Sequence, residues 1–360
     1  MTSDGNTRSR GTISSSTQYS RSEEIKLQRF KEKIEAIKKN EDEYLGLQKI
    51  DDALMDFKVY EKDINDYYHL QKDLGWGKFG VVKKAVSISS PDYEVAVKII
   101  NLRFIKGKYH YLAQEVMSLK RVDHPNIIKL LEVYKNEDKI YIVMELVKGV
   151  DLLDFLFSNE KMTEFQASTI IRQLLKALMH LNSLRMCHRD IKLENIMIDP
   201  ATLHIKLIDF GFSSFIMDKD LLYTQVGTPY YISPQILKGE YGKEWDMWSI
   251  GIVWFILLTG FPPFKSNNLK EIYRTIVQNN IEFLPKLWRN KSNFAYSFTR
   301  QWLQYNPSER LTPEEALQHP WIVNEKEGST IDEYLYSKLQ KLTLFTWEVT
   351  FFINEILLII

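Results

Sequence analysis

The chain has 360 residues and a mass of 42.5 kDa, with 47 Lys and Arg against 47 Asp and Glu, 44% hydrophobic and 26% charged residues. This composition supplies enough apolar surface for a core and excludes a mostly disordered protein. A formal net charge of zero gives no general attraction to phosphate backbones or anionic lipid, so no nucleic-acid partner is expected and any phosphate chemistry must be local. The single cysteine, Cys187, cannot form an internal disulfide and no apolar run follows the first residues, which predicts a reducing, cytoplasmic or nuclear setting. The seven histidines lack paired metal-ligand spacing, which argues against zinc.

In chain order, residues 1–22 are half Ser or Thr with almost no large apolar side chains, and a disordered tail is expected there. Over residues 23–63 the charges are dense, and Leu27, Phe30, Ile34 and Ile37 recur at intervals of three and four. That is the seam of a charged amphipathic helix, read as lying on the next domain, with a coiled-coil dimer as the alternative. From residue 66 to 100, short β-rich runs such as Glu94-Val95-Ala96-Val97-Lys98-Ile99-Ile100 alternate with Gly, Ser and Pro, predicting three antiparallel strands. A helix around Glu115 and strands near Leu130 and over Tyr141 to Met144 complete a small sheet. Beyond Gly149 helical patterns dominate, over Glu164 to Leu184, Met247 to Thr259 and Pro313 to His319. The uncharged run from Met247 to Phe264 is not read as a membrane span. Gly260-Phe261-Pro262-Pro263 ends that helix after a length of about 20 Å against a hydrocarbon core of about 30 Å. The final segment, Leu342 to Ile360, is apolar but its uncharged runs reach only six residues, so stable membrane insertion is not expected.

Gly75-Trp76-Gly77-Lys78-Phe79-Gly80-Val81-Val82 fits G-x-G-x-x-G-x-V, in which glycines let a hairpin backbone approach phosphate oxygens. Taken alone, it also fits an ordinary Gly-rich hairpin; a dinucleotide turn is less suitable because a strand, not a helix, follows. Lys98 ends an otherwise apolar run and needs an anion. Glu115, 17 residues on in a helical pattern, is one candidate and a phosphate is the other. In His188-Arg189-Asp190-Ile191-Lys192-Leu193-Glu194-Asn195 a carboxylate, a lysine and a carboxamide fall within six residues, and Asp209-Phe210-Gly211 follows at the end of a short strand. Hard oxygen ligands such as Asn195 and Asp209 suit Mg²⁺, which leaves Asp190 to accept a hydroxyl proton.

Together these motifs resemble the protein kinase family over residues from about 67 to 322. The resemblance implies an α+β, bilobal protein kinase fold occupying 64–325, with a β-rich small lobe of about 64–144 and an α-rich large lobe of about 149–325. It implies ATP and Mg²⁺ as cofactors and protein substrates that accept phosphate on Ser or Thr. Carried over, Gly75, Gly77 and Gly80 cover ATP, Lys98 holds its α- and β-phosphates and Glu115 orients Lys98. Asp190 accepts the substrate proton, Lys192 steadies the γ-phosphate, and Asn195 and Asp209 hold Mg²⁺. Val82, Ala96 and Met197 sandwich the adenine, Glu145 and Val147 offer it hinge backbone, and Met144 is the gatekeeper. Leu119, Leu130, His188 and Phe210 form an apolar spine between the lobes.

Lys192 and Gly227-Thr228-Pro229-Tyr230-Tyr231 match serine/threonine kinases. Asp246-Met247-Trp248-Ser249-Ile250-Gly251 and Glu315-Ala316-Leu317-Gln318-His319-Pro320-Trp321 resemble the calcium/calmodulin-dependent kinase group, and within it calcium-dependent protein kinases of plants and protists. No D-x-[DN]-x-[DN]-G loop occurs, so the sequence has no EF-hand of its own. Residues 326–360 are read as a regulatory extension, with calmodulin or another regulator as its partner, or as a truncated junction. By the same resemblance, Asp151 and Glu194 face an arginine three residues before the target hydroxyl, making the enzyme basophilic; the alternative role for Asp151 is the ATP ribose. Arg189 is expected to meet a phosphate on Thr224 or Tyr223, or the acids Asp218 and Asp220.

Gln235 stands where the family has a glutamate paired with an arginine matching Arg310. The amide keeps only an acceptor oxygen, which predicts a loosened segment and a gain of about 1 to 2 kcal/mol from Gln235→Glu. The rival reading for the whole chain is a pseudokinase, a nucleotide-binding scaffold without transfer. All of Lys98, Asp190, Asn195 and Asp209 are present, which favours the enzyme.

Overall fold

The computed structural model describes residues 59–324, with breaks at 61, 78–79, 106–108, 159–161, 216–228, 239–241, 243 and single positions between 265 and 284. The expected tail, the amphipathic seam from Leu27 to Ile37, the 326–360 extension and Asp218, Asp220, Tyr223 and Thr224 lie outside the described residues. Strands β2 (Tyr68–Gly77), β3 (Gly80–Ser87), β4 (Glu94–Asn101), β5 (Leu130–Lys135) and β6 (Lys139–Glu145) form antiparallel pairs in the order β5-β6-β4-β3-β2. One strand of this sheet was not foreseen. Val59 and Tyr60, assigned by sequence to the end of the helical extension, form β1, parallel to β5 in the register Val59 to Val133 and Tyr60 to Tyr134. The pairing covers the backbone groups that an edge strand would leave open, and Tyr60 stacks on Tyr134 with ring centroids 4.9 Å apart.

Alternation along the strands divides the sheet into two faces. Val95, Val97 and Val143 point outward into a cluster with Ile64, Tyr68 and Tyr134. Ile100, Ile140 and Ile142 point inward and meet Leu112, Val116 and Leu119 of helix α1 (Tyr109–Arg121). Lys98 lies on this inner face of β4, flanked by Ile142 of β6 and Val82 of β3.

Past the connection at Gly149 the chain becomes helical. Helices α2 (Leu152–Ser158) and α3 (Glu164–Ser183) are followed by β8 (Met186–Cys187), β9 (Ile196–Ile198) and β10 (Ile205–Leu207), with β7 (Val150–Asp151) pairing β9 and β11 (Ser214–Phe215) pairing β8. Helix α3 begins in a capping box, in which Thr163 and Gln166 each accept a bond from the other's backbone N–H. Then come α4 (Pro234–Lys238), α5 (Trp245–Thr259), α6 (Leu269–Val277), α7 (Pro285–Trp288), α8 (Asn293–Trp302), α9 (Pro313–Gln318) and α10 (Pro320–Asn324). Every residue of α5 is buried, and Gly260 closes it in the left-handed conformation at φ 70°. The uncharged run is thus a core helix, and among the described residues no helix is long and apolar enough to cross a membrane.

A buried carboxylate closes the far end of this lobe. Glu164 accepts bonds from the Ser292 backbone N–H, the Ser292 hydroxyl and the Trp321 indole, at 2.8, 2.8 and 2.7 Å. It therefore joins α3, α8 and α10. Glu164→Ala is expected to lower unfolding stability in urea by about 2 to 4 kcal/mol, because three donors lose one acceptor. Glu164→Gln, which keeps an acceptor oxygen, is expected to lose less than half of that. Equal losses would show that the acceptor is not what holds the three helices.

Candidate active site

The site lies where the inner face of the small sheet meets the loops that end β8 and β10. Lys98 is 4% exposed and Glu115 1%. Lys98 Nζ donates to Glu115 Oε1 at 2.5 Å and lies 3.5 Å from Asp209 Oδ1. Burial alone would lower the lysine pKa, but the carboxylates of Glu115 and Asp209 outweigh it and raise it, so the ammonium is charged. Glu115 Oε2 is buried without a hydrogen-bond partner.

Asp209 sits at φ 59°, a left-handed conformation that an aspartate tolerates better than most residues. Its Oδ1 accepts the Gly211 N–H at 3.2 Å. Burial pushes its carboxyl up, but Lys98, the Gly211 N–H and Lys192 overcome this and hold it below the ordinary carboxylate range. Asp209 is thus ionised where a cation would need it.

Across from it, Asn195 Nδ2 donates to the Asp190 backbone carbonyl at 2.8 Å and to Asp190 Oδ2 at 2.9 Å. Both amide protons are therefore committed, which turns the Asn195 carbonyl oxygen towards other work. Lys192 Nζ is 3.1 Å from Asp190 Oδ2. Asn195 and Asp209 offer two hard oxygens, and among the described residues no three His, Cys, Asp or Glu side chains converge. Such a donor set suits a cation that fills its shell from phosphates and water, as Mg²⁺ does.

Of the three glycines, Gly77 lies against the lysine, and Gly80 is required by sheet packing. A Cβ on Gly77 would lie 3.5 Å from Lys98 Cε and 3.9 Å from Nζ, filling the space over the lysine. One on Gly80 would lie 1.9 Å from the Ile99 carbonyl, so only glycine can stand there. Gly75 has open space around it. Val82 and Ala96 lie on neighbouring strands of this sheet, and Met197 on β9 is paired with Asp151 of β7. The Glu145 side chain turns to Lys206 and the Lys129 N–H, and its own N–H bonds Lys129 O. Leu119, Leu130, His188 and Phe210 are all buried, and the His188 and Phe210 rings meet edge-on at 4.8 Å.

The family comparison agrees with this geometry: the family described as protein kinase domain matches residues 68–322. The chain belongs to the protein kinase family. It is 37% identical over 270 residues to the mouse serine/threonine-protein kinase DCLK3, covering 73% of this chain and 34% of that protein. It is 38% identical over 272 residues to calcium-dependent protein kinase 5 of Plasmodium falciparum, covering 75% and 48%. To the rat serine/threonine-protein kinase DCLK2 it is 41% identical over 261 residues, covering 71% and 34%. The chain thus spans about a third to a half of the length of these relatives.

Two features of this kinase domain were missed or misjudged by sequence reasoning. Asp246, noted only as part of a motif, is fully buried, and its carboxylate accepts the backbone N–H groups of His188 at 2.7 Å and Arg189 at 2.9 Å. It anchors the loop that carries Asp190, with Arg189 at φ 68°. Burial raises its pKa, with His188 and the two N–H groups opposing that. The available signal was a lone carboxylate opening an otherwise uncharged helix, which is costly unless it has partners.

The second feature is Arg310. It is 5% exposed and donates to Gln235 Oε1 at 3.2 Å, to Gln304 O and to Glu244 O, with its guanidinium over Trp248. Burial pushes its pKa down to about 10, opposed by Glu244. Gln235 faces Arg310 as the sequence predicted, but its Nε2 also donates to Tyr305 O at 2.6 Å. A glutamate would set an oxygen against that carbonyl, so the expected gain is revised. Gln235→Glu is expected to change stability by less than about 1 kcal/mol in urea, the charge gained offsetting the donor lost. A gain above about 2 kcal/mol would mean that the Tyr305 contact contributes nothing. Asp246→Asn, which keeps one acceptor and adds a donor facing an N–H, is expected to cost about 1 to 3 kcal/mol and most of the activity. Full activity in that variant would exclude the anchoring role.

Proposed function

We propose that this kinase transfers the γ-phosphate of ATP to Ser and Thr hydroxyls of proteins, using Mg²⁺, and that it selects hydroxyls preceded by an arginine. The observation that carries the reading is the convergence of Lys98, Asp190, Lys192, Asn195 and Asp209 on one cleft, each with the charge or hydrogen-bonding state its role needs. When bound, Mg²⁺ neutralises phosphate charge and lets the terminal phosphoryl group pass to an acceptor oxygen. Lys98, kept charged by Glu115, would hold phosphate oxygens under the Gly77 backbone. Asn195 and Asp209 would hold the metal. Asp190, fixed by Asn195, takes the proton of the acceptor hydroxyl, and Lys192 beside it offsets negative charge at the reacting centre.

The preference for arginine rests on Glu194 and Asp151. Glu194 is mostly buried, its Oε2 has no hydrogen-bond partner, and burial raises its pKa despite Lys192. A guanidinium would satisfy that oxygen and oppose the upward shift. Asp151 accepts the Asp154 N–H at 2.9 Å at the start of α2. The likeness to calcium-dependent kinases supports placing the chain in the calcium/calmodulin-dependent group. A regulator such as calcium-loaded calmodulin acting on 326–360 belongs to this proposal, as does a cytoplasmic or nuclear location. Activity of the full chain with and without calmodulin tests the first, and imaging of the tagged protein tests the second.

Asp209→Asn is expected to abolish transfer of labelled γ-phosphate while leaving the thermal midpoint within a few degrees of the parent. Retention of more than a few percent of activity would sink the metal assignment. For peptides differing only in Arg or Ala three residues before the target, kcat/KM is expected to fall at least tenfold with Ala. In Glu194→Gln that ratio is expected to shrink towards one. If Asp151→Asn raises the KM for ATP without changing the peptide ratio, Asp151 serves the nucleotide and not the arginine.

A further inference from the structure

The Lys98 and Glu115 pair fixes α1 to the sheet, and a second attachment of the same helix has no assigned role. Ser118 lies three residues after Glu115, on the same side of α1, and is fully buried. Ser213, two residues beyond Gly211, is 1% exposed. Its Oγ is 2.8 Å from Ser118 Oγ and 2.7 Å from the Phe210 carbonyl. The Ser213 N–H also donates to that carbonyl, at 3.0 Å.

A hydroxyl has one proton, and a carbonyl can only accept. The Ser213 hydroxyl is therefore a donor shared between Ser118 Oγ and the Phe210 carbonyl, while the Ser213 N–H keeps the carbonyl paired in either case. Ser213 thereby ties the turn that carries Asp209 to α1. On its other side the same turn is held by Arg189, whose Nε donates to the Phe212 carbonyl at 2.5 Å. The turn begins with Asp209 in the left-handed region, a conformation that persists only when its surroundings over-determine it.

We propose that Ser118 and Ser213 are positioning residues for phosphoryl transfer. They lock the Asp209-Phe210-Gly211 turn to α1 so that Glu115 and Asp209 reach Lys98 in one arrangement. Neither hydroxyl touches the reacting atoms. A loss of registry between turn and helix would misplace the metal-facing carboxylate relative to the phosphate-facing lysine, and small misplacements of this kind cost rate steeply.

The test separates positioning from packing. In the full-length protein, Ser118→Ala and Ser213→Ala are made singly and together, with Ser118→Thr as the variant that keeps the hydroxyl. Ser213→Ala takes the bonding partner from the buried Ser118 hydroxyl, whereas Ser118→Ala leaves Ser213 its bond to the Phe210 carbonyl. The double change removes both hydroxyls, so the thermal midpoint should fall most in Ser213→Ala and recover in the double. Positioning predicts that kcat does not recover with it. We expect kcat to fall five- to twentyfold in all three alanine variants, with KM for the peptide changed less than twofold. Ser118→Thr should return kcat to within threefold of the parent. The rate losses should be non-additive, since either alanine breaks the same link between helix and turn. The proposal is overturned if kcat follows the midpoint and returns in the double variant, if the losses multiply independently, or if Ser118→Thr is as slow as Ser118→Ala.

Discussion

Everything in this molecule that bears on chemistry depends on one buried ion pair, Lys98 with Glu115. A lysine on the inner face of a central strand is tolerable only with an anion at hand. Glu115 supplies it from α1, and Asp209 stands 3.5 Å away from the same ammonium. Three separate parts of the chain, β4, α1 and the turn after β10, are thereby brought to a single point. Such pairs seldom add net stability, because desolvation of the two ions cancels most of their attraction. An apolar pair of similar volume would serve packing as well, so the charge is best explained by what it can hold.

The large lobe supplies the rigid counterpart. Helix α5 is buried along its whole length and carries Asp246 in its first turn, where two backbone donors of the catalytic loop converge on it. The core therefore fixes the loop's backbone, and the loop fixes Asp190 through Asn195. His188 adds a cross-tie, with its Nε2–H on the Ile208 carbonyl and its Nδ1 accepting the Asp190 N–H. The loop and the turn beside it are held from both sides before any substrate arrives. That is the condition under which fixed charges assist transfer without reorganising.

How much of this was legible in the sequence follows from how local each signal is. The segments His188 to Asn195 and Asp209 to Gly211 pack their chemistry into short runs, so residue type and spacing identified them. The Lys98 and Glu115 pairing was legible because a lysine in an apolar strand demands a partner. Strand β1 was not, since two residues on a distant parallel partner leave no periodic trace in a charged stretch. Asp246 was visible as an oddity, but its partners are 57 and 58 residues away and are backbone atoms, which no side-chain pattern reveals. The Tyr305 carbonyl that limits Gln235 was hidden for the same reason. Ser118 and Ser213 were missed because serine is common in helices and loops alike, and only their proximity makes them notable.

The most direct test of the central claim, that the buried pair is kept for phosphate binding and not for the fold, is the thermal midpoint of the Lys98→Met/Glu115→Leu double variant with and without Mg²⁺ and ATP. Because the apolar pair fills the same space without desolvating two charges, the variant should melt at or above the parent's midpoint in the absence of nucleotide. The parent should gain several degrees on adding Mg²⁺ and ATP, through binding to the folded state alone. The variant should gain none. A variant that melts well below the parent without nucleotide, or that keeps the parent's nucleotide-dependent rise, would contradict the account.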